Sequence, residues 1–130
     1  FLDERGLTYT DFGTDGTDSV DYPDFAARVA RGVASGEFDR GLLFCGSGIG
    51  MAIAANKVPG VRAASVVEEE SARLSREHND ANVLSLGARL TSPEVARRLV
   101  AVFLETPFSG GRHQRRVDKI TALDHRPPEE

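Results

Sequence analysis

The hydrophobic period of this chain switches repeatedly between two residues and 3.6, a pattern that neither an all-helical nor an all-β fold accommodates. Short apolar or β-rich runs at LTYTDFG (7–13), GLLFC (41–45), VRAASVV (61–67) and NVLSLG (82–87) alternate with amphipathic stretches. Those stretches are DYPDFAARVARGVASG (21–36), GIGMAIAANK (48–57), EEESARLSREHN (68–79), SPEVARRLVAVFLE (92–105) and RHQRRVDKITALDH (112–125). Pro23 and Pro93 stand where first helical turns begin, and Gly36 and Gly87 punctuate element ends. GLLFC and VRAASVV are nearly continuous apolar runs, as expected of strands covered on both sheet faces. The βα alternation predicts an α/β fold, a three-layer αβα sandwich around a parallel, Rossmann-like sheet.

At 130 residues with 40% hydrophobic content, the chain is long enough for one domain, spanning 1–130, and too short for two ordinary ones. A net charge of -4 argues against a general nucleic-acid-binding surface, although basic residues gather locally at GGRHQRR (110–116). No apolar run approaches the ~20 residues of a membrane span, and nothing reads as a signal peptide. The single cysteine rules out an internal disulfide framework and suits a reducing compartment. The expectation is a soluble, cytoplasmic protein. FLDERG at the start reads as the last turn of a helix closed by Gly6, a helix with an end but no beginning, so a segment is expected to be missing upstream.

In parallel sheets ligands sit beyond the carboxyl ends of the strands, in the βα loops. Cys45 occupies that position. It ends one strand, and CGSGIG forms the loop that opens the next helix, facing the sulfur toward backbone N–H groups and the positive end of a helix dipole. Such a setting favours thiolate. The alternative is a small buried hydrophobe, the commonest fate of a free cysteine. Gly46 and Gly48 match the first two positions of the dinucleotide fingerprint G-x-G-x-x-G, and Glu68 to Glu70 follow about 20 residues on. Met51 fills the third position, where close packing wants Gly or Ala, which argues against nicotinamide or flavin. What survives is an anion-binding loop with N–H groups of Gly46, Ser47, Gly48, Ile49 and Gly50, or else a tight connection with no ligand.

A second cluster is SREHNDAN (75–82), where His78 is either an acid/base group titrating near neutrality or a helix-end cap. In GGRHQRR, Gly110 and Gly111 are expected to end one element, and Arg112, Arg115 and Arg116 then fall on one face of a first helical turn. Cations there oppose the helix dipole, and a bound phosphate removes that conflict, so the choice lies between a phosphate clamp and a solvated basic face. No metal site is expected, because His78, His113 and His125 lack ligand spacing with each other or with Cys45.

The stretches DYPDFA, LLFCGSGIGMAIAANKVPGVRAA, SARLSREHNDANVLSLGAR and GGRHQRRVDKI resemble the ribose-5-phosphate isomerase B family, in the wider ribose/galactose-6-phosphate isomerase group, over nearly the whole chain. The resemblance implies an aldose-ketose isomerase of sugar phosphates, foremost ribose 5-phosphate, working through a cis-enediolate without metal or cofactor. Cys45 matches the general base of the cysteine-bearing branch. Ser47 and the N–H groups of the glycine loop match an oxyanion-stabilising role, with Gly46, Gly48, Ile49 and Gly50 contacting substrate. His78 matches the residue that opens the furanose ring, Asn79 a substrate ligand, Arg112 and Arg116 the phosphate clamp, and Tyr22 and Arg89 pocket positions. The family's first strand, ending in an Asp-His type pair, has no counterpart before Phe1. The resemblance also implies a homodimer or tetramer whose sites are shared between protomers. Two other classes stay open: a phosphosugar-binding module without turnover, and a cysteine hydrolase using Cys45 and His78.

Overall fold

The computed structural model describes residues 9–10 and 21–125. The expected strand over 7–13, except Tyr9 and Thr10, and the expected helix end over 1–6 lie outside the described residues. Eight elements follow in order: α1 (Tyr22–Ala34), β1 (Gly41–Cys45), α2 (Ile49–Ala55), β2 (Ala63–Ser65), α3 (Glu69–Glu77), β3 (Val83–Gly87), α4 (Pro93–Glu105) and α5 (Arg112–Leu123). The strands form a parallel sheet in the order β1-β3-β2, with Gly41 opposite Val83 and Cys45 opposite Gly87. Two clusters of buried side chains line its faces. Ala26, Ala30 and Val33 of α1 and Met51 and Ala55 of α2 meet Leu43 and Val83 on one side. Ala72 of α3 and Leu99, Val100 and Phe103 of α4 meet Leu84 and Leu86 on the other. The result is the three-layer αβα sandwich that the βα alternation predicts.

The helix ends follow from local chemistry. Pro23 and Asp24 open α1, and Gly36, at φ +84°, turns the chain out of it. Ser92 caps α4 by accepting the Val95 N–H, with Pro93 in the first turn. Glu68 caps α3, accepting from both the N–H and the hydroxyl of Ser71. Burial of Leu84, Leu86, Leu99 and Phe103 contributes about 1.5–3 kcal/mol each.

Some expectations need correction. The run 61–67 forms only a three-residue strand: among the described residues β2 pairs on one side alone, with β3, and Val61 turns into the core beneath α1 and α2. GLLFC is not covered on both faces among the described residues: Phe44 lies at the edge of the described sheet and is 55% exposed. Gly110 and Gly111 do not end a helix. That helix, α4, stops at Glu105, where the Thr106 hydroxyl donates to the Val102 carbonyl, and the glycines instead lead into α5. No helix among the described residues is long and apolar enough to cross a membrane.

One feature of β3 positions everything above it. Val83, Ser85 and Gly87 alternate with Leu84 and Leu86, so they share the face covered by α2. Their side chains shrink along the strand from isopropyl to hydroxymethyl to none. The Ser85 hydroxyl donates to the Gly48 carbonyl at 2.6 Å, and a Cβ on Gly87 would stand 2.4 Å from the carbonyl carbon of Ser47. The loop after β1 therefore descends directly onto the end of β3. Gly87→Ala should force that loop upward, lowering stability by about 1–3 kcal/mol in urea denaturation and displacing Cys45. An unchanged midpoint would show that the loop moves aside without cost.

Candidate active site

Beyond the sheet, the chain segments after β1 and β3 stay paired: Ala88 N–H donates to the Cys45 carbonyl at 2.7 Å and Arg89 N–H to the Gly46 carbonyl at 3.0 Å. Against that support, Gly48 adopts φ +81° and its N–H donates to Cys45 Sγ at 3.0 Å. A Cβ on Gly48 would lie 2.9 Å from the Leu86 carbonyl carbon, so both the left-handed backbone and the close approach require glycine. Cys45 is half-buried: its side chain packs against the core cluster under α1 and α2, as the buried-hydrophobe alternative expects, while part of it stays exposed. Ile49 N–H donates to Ser47 Oγ at 3.2 Å. Two of the five loop N–H groups expected to face a ligand are thus engaged inside the loop in this structure. Tyr22 crosses the first turn of α2, its hydroxyl 2.6 Å from where a Gly50 Cβ would sit, and the Arg89 Nε lies 3.4 Å from the corresponding point on Gly46. Cys45, Gly46, Ser47, Gly48, Ile49, Gly50, Tyr22 and Arg89 therefore gather at one end of the sheet.

His78 stands elsewhere. It is the C-cap of α3, donating its N–H to the Leu74 carbonyl at 2.9 Å. Its ring stacks on that of His113, with centroids 4.2 Å apart and planes 12° off parallel. The turn that follows is pinned by Asp80, which has φ +47° and whose carboxylate takes a 2.8 Å hydrogen bond from the buried Arg76. Arg62 Nε reaches the carbonyls of Asn79 and Asp80. Sequence reasoning missed Arg76, Asp80 and Arg62; the Asn-Asp pair after the helix is the turn signal that marks the spot. Gly110 and Gly111, at φ +66° and +57°, swing the chain into α5 beside this turn, and Ser109 N–H donates to the Glu77 carbonyl at 3.1 Å.

The first turn of α5 carries no acidic residue, while Arg112 and Arg116 are exposed on it one helical turn apart. His113 sits between them, and its imidazole pKa is depressed, first by desolvation and then by His78, Arg112 and Arg116, with Glu77 opposing. Asn79 is exposed next to His78. His78, Asn79, Arg112, His113 and Arg116 form a second group.

The two groups occupy opposite ends of the sheet. Cys45 follows the carboxyl end of β1, whereas the 78–82 turn leads into the amino end of the parallel β3, and Asn82 bonds to Gly41 and Arg62 there. The intervening strand is roughly 13 Å long at 3.3 Å per residue. Glu68, which follows β2 where a ribose-binding carboxylate would stand, is held by Ser71; the Ser71 hydroxyl is the main reason its carboxyl pKa lies below the usual value. Among the described residues, no group of three or more His, Cys, Asp or Glu side chains could hold a metal ion.

Comparison with known proteins places this geometry. Residues 1–120 match the model of the Ribose/Galactose Isomerase family. Ribose-5-phosphate isomerase B of Escherichia coli is 49% identical over 125 residues, covering 96% of this chain and 84% of the relative. The structure of ribose-5-phosphate isomerase B from Clostridium thermocellum superposes with a TM-score of 0.92 at 53% identity, over 95% of this chain and 83% of that one. The enzyme of the same name from Mycoplasma genitalium, with bound ribulose-5-phosphate, gives a TM-score of 0.91 at 45% identity over 95% and 82% of the two chains. With this match along nearly its whole length, the chain belongs to the ribose/galactose isomerase family.

Proposed function

We propose that this sugar-phosphate isomerase interconverts ribose 5-phosphate and ribulose 5-phosphate, with Cys45 as the proton-transfer base. The observation that supports the base most directly is the Gly48 N–H at 3.0 Å from Cys45 Sγ, at the N-terminus of α2. A charge-assisted hydrogen bond of that kind holds a thiolate in place. The thiolate removes the proton from C2 of the open aldose. The C–H electron pair forms the C1–C2 double bond, and the O1 carbonyl takes up negative charge as an enediolate. Returning the proton to C1, with O2 losing its own hydrogen to O1, completes the ketose. Ser47 Oγ accepts from Ile49 N–H and keeps its own hydrogen for a substrate oxygen, and the Gly46 and Gly50 N–H groups face the same developing charge.

His78 opens the furanose ring, with Asn79 as a substrate ligand beside it. Arg112 and Arg116 grip the phosphate, which offsets both their mutual repulsion and their conflict with the helix dipole. Tyr22 and Arg89 wall the pocket around the glycine loop. The lone free cysteine fits a cytoplasmic setting.

Cys45 and His78 lie at opposite ends of the sheet, so neither a nucleophile-base pair of the hydrolase type nor a complete isomerase site forms within one protomer. The site is completed by a second copy. α2 offers the seam: Ile49 and Ile53, four residues apart, are 55% and 58% exposed and lead from the Cys45 end toward Asn56, near the other end. Two α2 helices packed antiparallel about a twofold axis bring the Cys45 loop of one protomer to the His78 turn of its partner.

Mixing two inactive variants tests this arrangement. Cys45→Ala and His78→Asn should each lose ~10²- to 10⁴-fold in turnover of ribose 5-phosphate. Subunit exchange between them should restore activity toward about a quarter of wild type, since half the random dimers carry one intact shared site. No recovery after verified exchange would place both residues in one protomer's site.

Inorganic phosphate should raise the melting temperature of the wild type by an amount set by its concentration relative to its dissociation constant. Arg112→Ala with Arg116→Ala should abolish the rise and increase KM for sugar phosphates far more than for unphosphorylated sugars. Phosphate stabilisation that survives the double change would move the clamp elsewhere.

A further inference from the structure

The ring packed on His78 has no task in the chemistry above. We propose that His113 is a positioning residue for ring opening: its imidazole fixes the plane of the His78 ring and ties that plane to the helical turn that holds the phosphate. The proposal rests on the reading of His78 as the ring-opening group.

The geometry supplies the reason. The backbone of His78 is held by its hydrogen bond to Leu74 and by the pinned Asp80 turn, but backbone bonds leave the terminal torsion of an imidazole broadly free. His113 removes that freedom, lying 4.2 Å away and within 12° of parallel. Ring opening needs it removed. The hemiacetal C1–O4 bond breaks with its electron pair on O4, which gains a proton, while O1–H loses one as the C1=O1 carbonyl forms. A single imidazole serves both oxygens only if its nitrogens lie in the plane of those transfers.

His113 is also suited to be the uncharged member of the stack. Two imidazolium rings face to face repel each other, and the His113 imidazole pKa is lowered first by desolvation and then by His78 across the stack and Arg112 and Arg116 on α5, with Glu77 on α3 opposing. Because His113 lies one residue after Arg112 and three before Arg116, a phosphate seated on that turn and the plane of His78 are set by one rigid segment.

Initial rates at saturation provide the test, because kcat can change in one direction alone whereas the ratio of the two kcat/KM values is fixed by the equilibrium constant: the substrates are ribose 5-phosphate, which is mainly cyclic, and ribulose 5-phosphate, which is acyclic. In the reverse direction the open aldose is released and cyclises unaided, so ring opening does not limit that rate. His78→Asn, as reference, should lose activity selectively on ribose 5-phosphate. His113→Ala should show the same selectivity, with kcat lower by about ten- to a hundredfold and the KM for ribulose 5-phosphate little changed. His113→Phe, which keeps a flat ring, should recover most of the loss, and phosphate should still raise the melting temperature of both variants.

Equal losses on the two substrates in His113→Ala would overturn the proposal and assign His113 to the phosphate clamp or the fold. So would a failure of His113→Phe to recover, or unaltered rates in His113→Ala. If His78→Asn itself lost activity equally on both, the ring-opening reading would fall and the proposal with it. Selective loss in His78→Asn with none in His113→Ala would sink the proposal alone.

Discussion

The contact between Gly87 and the backbone of Ser47 is the constraint on which the rest depends. At the end of β3 there is no room for even one methyl group between strand and loop. That closeness brings the Gly48 carbonyl within 2.6 Å of the Ser85 hydroxyl and turns the Gly48 N–H onto the Cys45 sulfur. A polar Ser85 in the most buried strand would be costly unless hydrogen-bonded, and the loop supplies its partner. Core and site thus satisfy each other: the strand gives the loop a floor, and the loop occupies the strand's one buried hydroxyl. The left-handed Gly48 follows, because only a residue without Cβ can make the turn while lying against Leu86 and Gly87.

At the other end of the sheet the organising element is a charge. Arg76 is almost fully buried, and a guanidinium there is tolerated only because its donors are taken by the carboxylate of Asp80 and the carbonyls of Ala81 and Thr106. These bonds join the end of α3, the start of β3 and the exit of α4. The same turn carries His78 and Asn79, and its neighbour α5 carries the arginines. Loss of Arg76 or Asp80 would therefore disturb the fold and the proposed ring-opening end together.

Much of this was legible in the sequence where a residue's chemistry acts locally. Gly41–Cys45 is a strand as its apolar run indicates, Pro93 and Ser92 mark the start of α4, and the cysteine followed by alternating glycines reads correctly as a loop opening a helix. What depends on distant partners was not legible. The exposure of Phe44 and the shortness of β2 reflect which strands pair at the described edges, and the docking of the 106–111 segment on α3 through Ser109's bond to Glu77 has no local signal. The His78–His113 stack joins residues far apart in the chain through a turn that the side chains of Arg62 and Arg76 help to hold. No periodicity or local motif announces such a pairing.

Placing the proposed proton-transfer base, Cys45, and the proposed ring-opening group, His78, at opposite ends of one sheet has an electrostatic consequence. A thiolate close to a histidine that must gain and lose protons would pair with it, and each would shift the other's titration. Separation within the protomer leaves the Cys45 sulfur to the Gly48 N–H at the start of α2, and the His78 ring to its stack on His113 beside the α5 arginines. The two meet only across the proposed interface, with substrate between them. Under the proposed pairing, assembly becomes part of the catalytic design: each monomer holds two half-sites at opposite ends of its sheet, and pairing two copies converts them into two sites in which a sugar phosphate bridges one thiol and one imidazole.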